Sequence, residues 1–219
     1  MIKIKKWIGN PCEACSHVLS DETGEAVFID PAPFYPNERR HLLEYIDEEH
    51  LHPIRLLLTH AHHDHIYAND LIYNHYGLLP EVHADDRELM TDHLQKRIDE
   101  IYKKYPYYPL PMPKHYLTDG EVIRFGNHEL HVIHTPGHTP GSVFFYCEQE
   151  CVAFSGDTLF YKSIGRSDLV GGNEEKLFTS LKYISEVLPD DTVLYPGHGK
   201  KTTLGFEKEN NRYLLSILS

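Results

Sequence analysis

A layered α/β fold is predicted for this 219-residue chain by three features. Short apolar or alternating runs have strand length, amphipathic runs of helical spacing lie between them, and His- or Asp-bearing loops follow the strands directly. EAVFIDP (25–31), IRLLL (54–58), HELHVI (128–133), SVFFYC (142–147), CVAFSG (151–156) and TVLYP (192–196) read as strands bounded by turn residues. NERRHLLEYIDEEH (37–50) and NEEKLFTSLKYISEVL (173–188) read as helices, with Asn37 and Asn173 as N-caps. LGFEKENNRYLLSIL (204–218) reads as one final helix. Clean strand-helix-strand units are too few to require an all-parallel sheet, so a sheet core flanked by helices is expected, as one domain over 1–219.

One stretch breaks the pattern. A helix-like run from about Asp85 to Lys104 leads into YKKYPYYPLPMPKHY (102–116), where four prolines between Pro106 and Pro113 cannot continue a helix. A long surface loop is expected there, placed to act as a lid or substrate lip or packed down by its own aromatics.

Composition excludes several function classes. With 33 acidic and 21 basic residues the formal charge is −12, which opposes duplex nucleic acid, since that binding rests on basic contacts displacing counterions. No apolar run has membrane-spanning length, and MIKIKKWIGNPCEAC lacks the apolar region of a secretion signal, so a cytoplasmic protein without nucleic-acid or membrane partners is expected. The cysteines form two close pairs, Cys12 with Cys15 and Cys147 with Cys151. They read as reduced thiols, with a four-thiolate zinc site as the minor alternative.

The chemistry concentrates in four motifs. THAHHDH follows IRLLL, TPGHTPG follows HELHVI, GDTLF follows CVAFS, and PGHGKK follows TVLY. A loop just past a strand is held by the sheet yet open to ligand. If those strand ends converge, five of the chain's 17 histidines and two aspartates meet. Alternation in an extended segment lets His60 and His62 grip one ion while Ala61 and His63 point away. After a turn, Asp64 and His65 serve a second position. His138, stiffened between prolines, completes the first set and His198 the second. Asp157 is the carboxylate that bridges two divalent ions about 3.5–4 Å apart. The anionic Asp64 and Asp157 offset the repulsion between the cations. His63 and His134 read as neighbours, and the remaining histidines, among them His17, His83 and His128, as packed or surface residues.

Together THAHHDH, TPGHTPGS, SGDTLF and PGHG resemble the metallo-β-lactamase fold, a four-layer αββα sandwich with a metal site at one edge of its two sheets. GDTLFYKSIGRSDLVGGN and PGHGKKTTLGFEKENN are similar to the glyoxalase II-like hydrolases, in a short branch without the C-terminal helical domain. The resemblance implies the same seven ligands holding two divalent metals, zinc first, with iron or manganese as alternatives. It also implies Arg166 as the substrate-binding basic residue. Two family tyrosines that contact glutathione align with Asp168 and Lys200, and the glycine of the family's DHxxGN is Ala68.

The activity expected is hydrolysis of a small-molecule thioester such as S-lactoylglutathione, or a related acyl ester, by a metal-bound hydroxide. Asp64 is expected to orient that hydroxide and handle its proton. A persulfide dioxygenase with a single iron is the alternative from another reaction class. Lactonase, phosphodiesterase and non-catalytic metal-binding readings share the fold.

Overall fold

A computed structural model describes residues 1–91 and 110–218. Its first sheet runs β1 (Lys3–Gly9), β2 (Ala14–Ser20), β3 (Glu25–Ile29), β4 (His52–Leu57), β5 (Pro80–His83) and β6 (Tyr116–Leu117), paired in that order. The second holds β7 (Val122–Phe125), β8 (His128–His134), β9 (Val143–Cys147), β10 (Val152–Gly156), β13 (Val193–Pro196) and β14 (Thr202–Thr203), in the order β14-β13-β10-β9-β8-β7. A small hairpin, β11 (Leu159–Phe160) with β12 (Ser163–Ile164), stands apart from both sheets. Helices α1 (Pro36–Glu48) and α2 (Asn69–Tyr76) accompany the first sheet, and α3 (Glu174–Val187), α4 (Leu204–Asn210) and α5 (Arg212–Leu218) the second.

Side-chain alternation produces the layers. On β9, Val143, Phe145 and Cys147 face the first sheet, where they meet Leu19, Val27, Ile29 and Leu57, while Phe144 and Tyr146 face Leu177, Leu181 and Ile184 of α3. On β3, Val27 and Ile29 enter the inter-sheet core and Ala26 and Phe28 pack against Leu42 and Ile46 of α1. Strands covered on both faces read as unbroken apolar runs, which is why SVFFYC shows no polar alternation. The order of layers is therefore α/β/β/α, as expected. Burial of each large apolar side chain in these layers contributes on the order of 1.5–3 kcal/mol.

Topology brings one edge of both sheets together. β3, β4, β5 and β6 pair in parallel, and so do β10 and β13, so their C-terminal ends share an edge. β8 is antiparallel to β9, which is antiparallel to β10, so β8 also ends there. Loops after these strands carry every motif singled out above.

Several expectations are corrected. Helix α1 starts at Pro36 with Tyr35 as its N-cap, and Glu38 accepts the Tyr35 N–H at 3.1 Å, so Asn37 lies inside the helix rather than capping it. Asn173 does cap α3, accepting the Lys176 N–H at 2.9 Å. The C-terminal run is two helices. Buried Asn211 separates them, donating to Ser163 O and Glu207 Oε2 and accepting the Tyr213 N–H. β1, β2, β5, β6 and β7 carry too little apolar alternation to have been read from the sequence. From the expected 85–104 helix, Ala84–Met90 is a 3-10 helix and 92–104 lies outside the described residues. The lid expected over 102–116 falls outside them up to residue 109. The cysteine pairs do not meet. Cys15 N–H donates to Gly197 O beyond the end of β13, whereas Cys151 O accepts the Val193 N–H at its start.

Candidate metal centre

The loop after β4 begins with Thr59 and His60, both buried, and closes in a 3-10 turn at His63–His65. His60, His62 and His138 form one potential ligand triad, and Asp64, His65 and His198 another. These are the two sets that direction along the chain assigned. His62 Nδ1 lies 2.8 Å from His138 Nε2. His63 stays outside both sets and packs edge-on against Tyr67 at 5.8 Å.

Hydrogen bonds on the far side of three of the rings, those of His60, His65 and His138, fix which nitrogen faces the centre. His60 Nδ1 lies 3.1 Å from Thr59 Oγ1, and that hydroxyl donates to Asp30 Oδ2 at 2.6 Å. His65 Nδ1 reaches Asp30 Oδ2 at 3.1 Å. His138 Nδ1 reaches the Arg166 carbonyl at 2.7 Å. Each of these bonds leaves Nε2 directed at the shared centre. His60 Nε2, His65 Nε2 and Asp157 Oδ1 are buried without a hydrogen-bond partner. Buried polar atoms are rarely left so, because an unmade bond costs about 1–3 kcal/mol. The facing acceptor nitrogens of His62 and His138 likewise need a cation or a proton between them. This donor set fits divalent metal.

Asp157, the first residue past β10, joins the triads. Its Oδ1 is 3.4 Å from His65 Nε2, and its Oδ2 is 3.4 Å from His138 Nε2 and 3.5 Å from His198 Nε2. Asp64 Oδ2 is 3.2 Å from His198 Nε2. The approach is tight enough that a Cβ on Gly197 would stand 2.1 Å from Asp157 Oδ1, so the residue before His198 has to be glycine.

Charge divides the two triads. Burial and neighbouring imidazoles hold His60 well below its ordinary range, and the same causes push His62 down to about 3, so these two offer neutral lone pairs. Around His65 burial opposes the charged form, yet Asp157, Asp64 and Asp30 outweigh it and raise the group well above its usual value. Burial opposes ionisation of Asp64 too, and the adjacent His65 and His198 nevertheless hold its carboxyl far below the usual range. The second position is thus strongly electronegative, as a cation requires.

Three supporting residues escaped the sequence reading. Asp30, at the end of β3 with φ +48°, accepts the Thr59 N–H at 2.7 Å as well as the two bonds above. Asp86 accepts the N–H of Ala61 at 2.9 Å, the N–H of Gly141 at 2.6 Å and the Thr139 hydroxyl at 2.9 Å, which ties the His60 loop to the His138 loop. Asn10 donates to Asp64 O at 2.8 Å and Ala32 O at 3.1 Å. A polar residue ending an apolar strand was the available signal for Asp30; Asp86 and Asn10 gave none. Arg166 places only its carbonyl at the centre. Its guanidinium is exposed and paired to both oxygens of Asp168 at 2.7 Å. His134 donates to Pro140 O at 2.9 Å and stacks on His83 at 4.0 Å, away from both triads.

The Metallo-beta-lactamase superfamily model matches residues 11–198. Among curated relatives, the hydroxyacylglutathione hydrolase GloC of Haemophilus influenzae is 33% identical over 205 residues, covering 92% of each chain. Among solved structures, the BLEG-1 B3 metallo-β-lactamase superposes with a TM-score of 0.85 at 34% identity, covering 97% of this chain and 99% of its own. A di-iron form of TTHA1623 superposes with a TM-score of 0.82 at 33% identity, covering 96% and 100%. Among the described residues no helix is long and apolar enough to cross a membrane. Loops that set two ligand triads at the shared edge of two packed sheets agree with this match: the chain belongs to the metallo-β-lactamase superfamily, a family of metallo-hydrolases that bind divalent metals, commonly two.

Proposed function

We propose that this protein is a dinuclear metal-dependent thioesterase acting on a small acyl thioester, with S-lactoylglutathione as the model substrate. The observation that carries the reading is Asp157, whose carboxylate lies within 3.5 Å of imidazole nitrogens from both triads and would be shared by two ions held there. His60, His62 and His138 would hold the first ion, and Asp64, His65 and His198 the second, with zinc the leading candidate and iron the alternative that the di-iron relative supports. Bound there, divalent metal lowers the pKa of a coordinated water from about 16 toward about 7 and polarises a carbonyl.

The chain's own residues supply the rest. Asp64, ionised and held at its backbone carbonyl by Asn10, accepts a hydrogen bond at Oδ2 and orients the attacking water. Asp30 keeps the His65 ring, and through Thr59 the His60 ring, from turning, and Asp86 pins the loops that carry His60 and His138, so little orientation is left to be fixed when substrate arrives. No serine or cysteine nucleophile is required. Thioester chemistry is favoured by the near-complete mutual coverage with GloC.

The test is anaerobic hydrolysis of S-lactoylglutathione beside a lactone and a cephalosporin. Thioester cleavage that stops on chelation and returns with added divalent metal is expected. Turnover of the cephalosporin alone, or cleavage indifferent to chelation, would overturn the proposal.

A further inference from the structure

Arg166, the residue expected to recognise a charged substrate, is neutralised by Asp168. Uncompensated positive charge gathers elsewhere on the rim, beside His198. The β11–β12 turn presents Tyr161 and Lys162, and Phe160 of that hairpin lies 6.1 Å from the His198 ring. Tyr161 is fixed by stacking on Phe206 at 5.4 Å and 11°. Lys200, two residues beyond His198, places its ammonium 3.6 Å from the Tyr161 ring centre, and Lys162 Nζ lies 5.7 Å from the same centre. Lys6, from β1, donates to the carbonyl of Gly199 at 2.6 Å.

Two ammonium groups therefore share one aromatic shelf next to a ligand of the second position, and a third, from Lys6, is held at the carbonyl of Gly199, the residue before Lys200. Among the described residues none of the three has a carboxylate within 4 Å, in a chain whose net charge is −12, while Lys3, Arg39, Arg55, Arg124 and Lys208 are each paired. Each ordered charge has its stem or head against a ring or carbonyl, so little freedom is lost when an anion arrives. Like charges held close without a counterion are a standing repulsion that an anionic ligand relieves.

We propose that Lys6, Lys162 and Lys200 form an anion-recognition wall that selects acyl thioesters whose thiol half carries carboxylate or phosphate groups. The wall holds the charged, non-reacting end while the acyl carbonyl faces Asp157. This deepens the thioesterase reading and rests on it for the identity of the reacting bond.

The test is a titration of metal-loaded protein with three thioethers that cannot be hydrolysed: S-ethyl glutathione, S-ethyl coenzyme A and the uncharged S-ethyl N-acetylcysteamine. At low ionic strength the better charged ligand is expected to bind at least about tenfold tighter than the uncharged one, an advantage that shrinks in high salt. Lys200→Glu and Lys162→Glu should each cut the charged-to-uncharged affinity ratio at least about fivefold. Whichever of the tripeptide and nucleotide ligands binds tighter identifies the anion as carboxylate or phosphate. Equal affinity for all three ligands, or an unchanged ratio in both variants, would overturn the wall. Charge-selective binding without hydrolysis of any matching thioester supports the wall and sinks the thioesterase reading instead.

Discussion

His65 and His128 are buried at opposite ends of the sandwich, and each is flanked by carboxylates. His128 opens β8 far from the site loops, with Nδ1 at 2.9 Å from Asp21 and Nε2 at 3.0 Å from Glu150. Both of its nitrogens are satisfied, so it is a strut tying the β7–β8 turn to the first sheet and to the β9–β10 turn. His65 uses Nδ1 on Asp30 and leaves Nε2 buried without a partner among Asp64, Asp157 and the other imidazoles. The same residue type beside the same groups therefore does two jobs. What separates the proposed ligand from the strut is the second ring nitrogen, which the fold satisfies in one place and leaves without a partner in the other.

Substitution at the two histidines should split the readouts. His65→Ala is expected to lose metal from the second position and to reduce hydrolysis to the level of chelated protein, whereas His128→Ala keeps its metal and its activity at moderate temperature. Loss of metal in His128→Ala, measured by elemental analysis, would break the comparison.

The supporting carboxylates come next in size. Asp30→Ala removes the partner of both His60 and His65, through Thr59 in one case and directly in the other. It should weaken metal binding about 10–100-fold. Asp86→Asn keeps the shape but replaces an acceptor that takes three hydrogen bonds, and should weaken the His60, His62, His138 position more than the other. Competitive chelator titration of each variant checks both; equal weakening of the two positions by Asp86→Asn would contradict the assignment.

His128→Ala should lower stability by about 1–3 kcal/mol by removing the buried ring and its hydrogen bonds to Asp21 and Glu150, or roughly 2–10 °C in Tm. Thermal unfolding reads this directly.

The smallest effect is a pH dependence at the same end. Burial disfavours ionised Asp21, but the N–H groups of Asn127 and Thr23, the Thr23 hydroxyl and His128 outweigh it and hold its carboxyl far below 3.8. A depressed folded-state value means that the contribution of Asp21 is complete above 3.8 and is lost as the pH falls below it. Asp21→Asn should therefore be less stable than the parent at pH 7, with the gap narrowing progressively as the pH falls below 3.8. A gap that widens in acid would reverse the sign of this account.

The distinction between ligand and strut was only half legible in the sequence. Period-two alternation in THAHHDH assigned His60 and His62 to one position, and the placement of four motifs after four strands gathered all seven candidates. Those signals are local, and the strands behind them are apolar enough to read directly. Asp30 and Asp86 depend on which strands pair and which loops face each other, which local pattern does not encode; Asp86 meets partners as far away as Gly141. Asn211 broke a helix for the same kind of reason, since its partners lie on β12 and α4. Arg166 was placed by resemblance, and a neighbouring Asp168 redirected its side chain.

The central claim is that the atoms left unpartnered at the sheet edge are there to bind two divalent ions. Its most direct measurement is metal content against activity during stepwise reconstitution of chelated protein, with His138→Ala alongside. Two ions per chain, with hydrolysis returning as they bind and His138→Ala recovering neither the first-position ion nor the activity, is the predicted result. Full activity in metal-depleted protein, or a parent chain that takes up no ion, would contradict it.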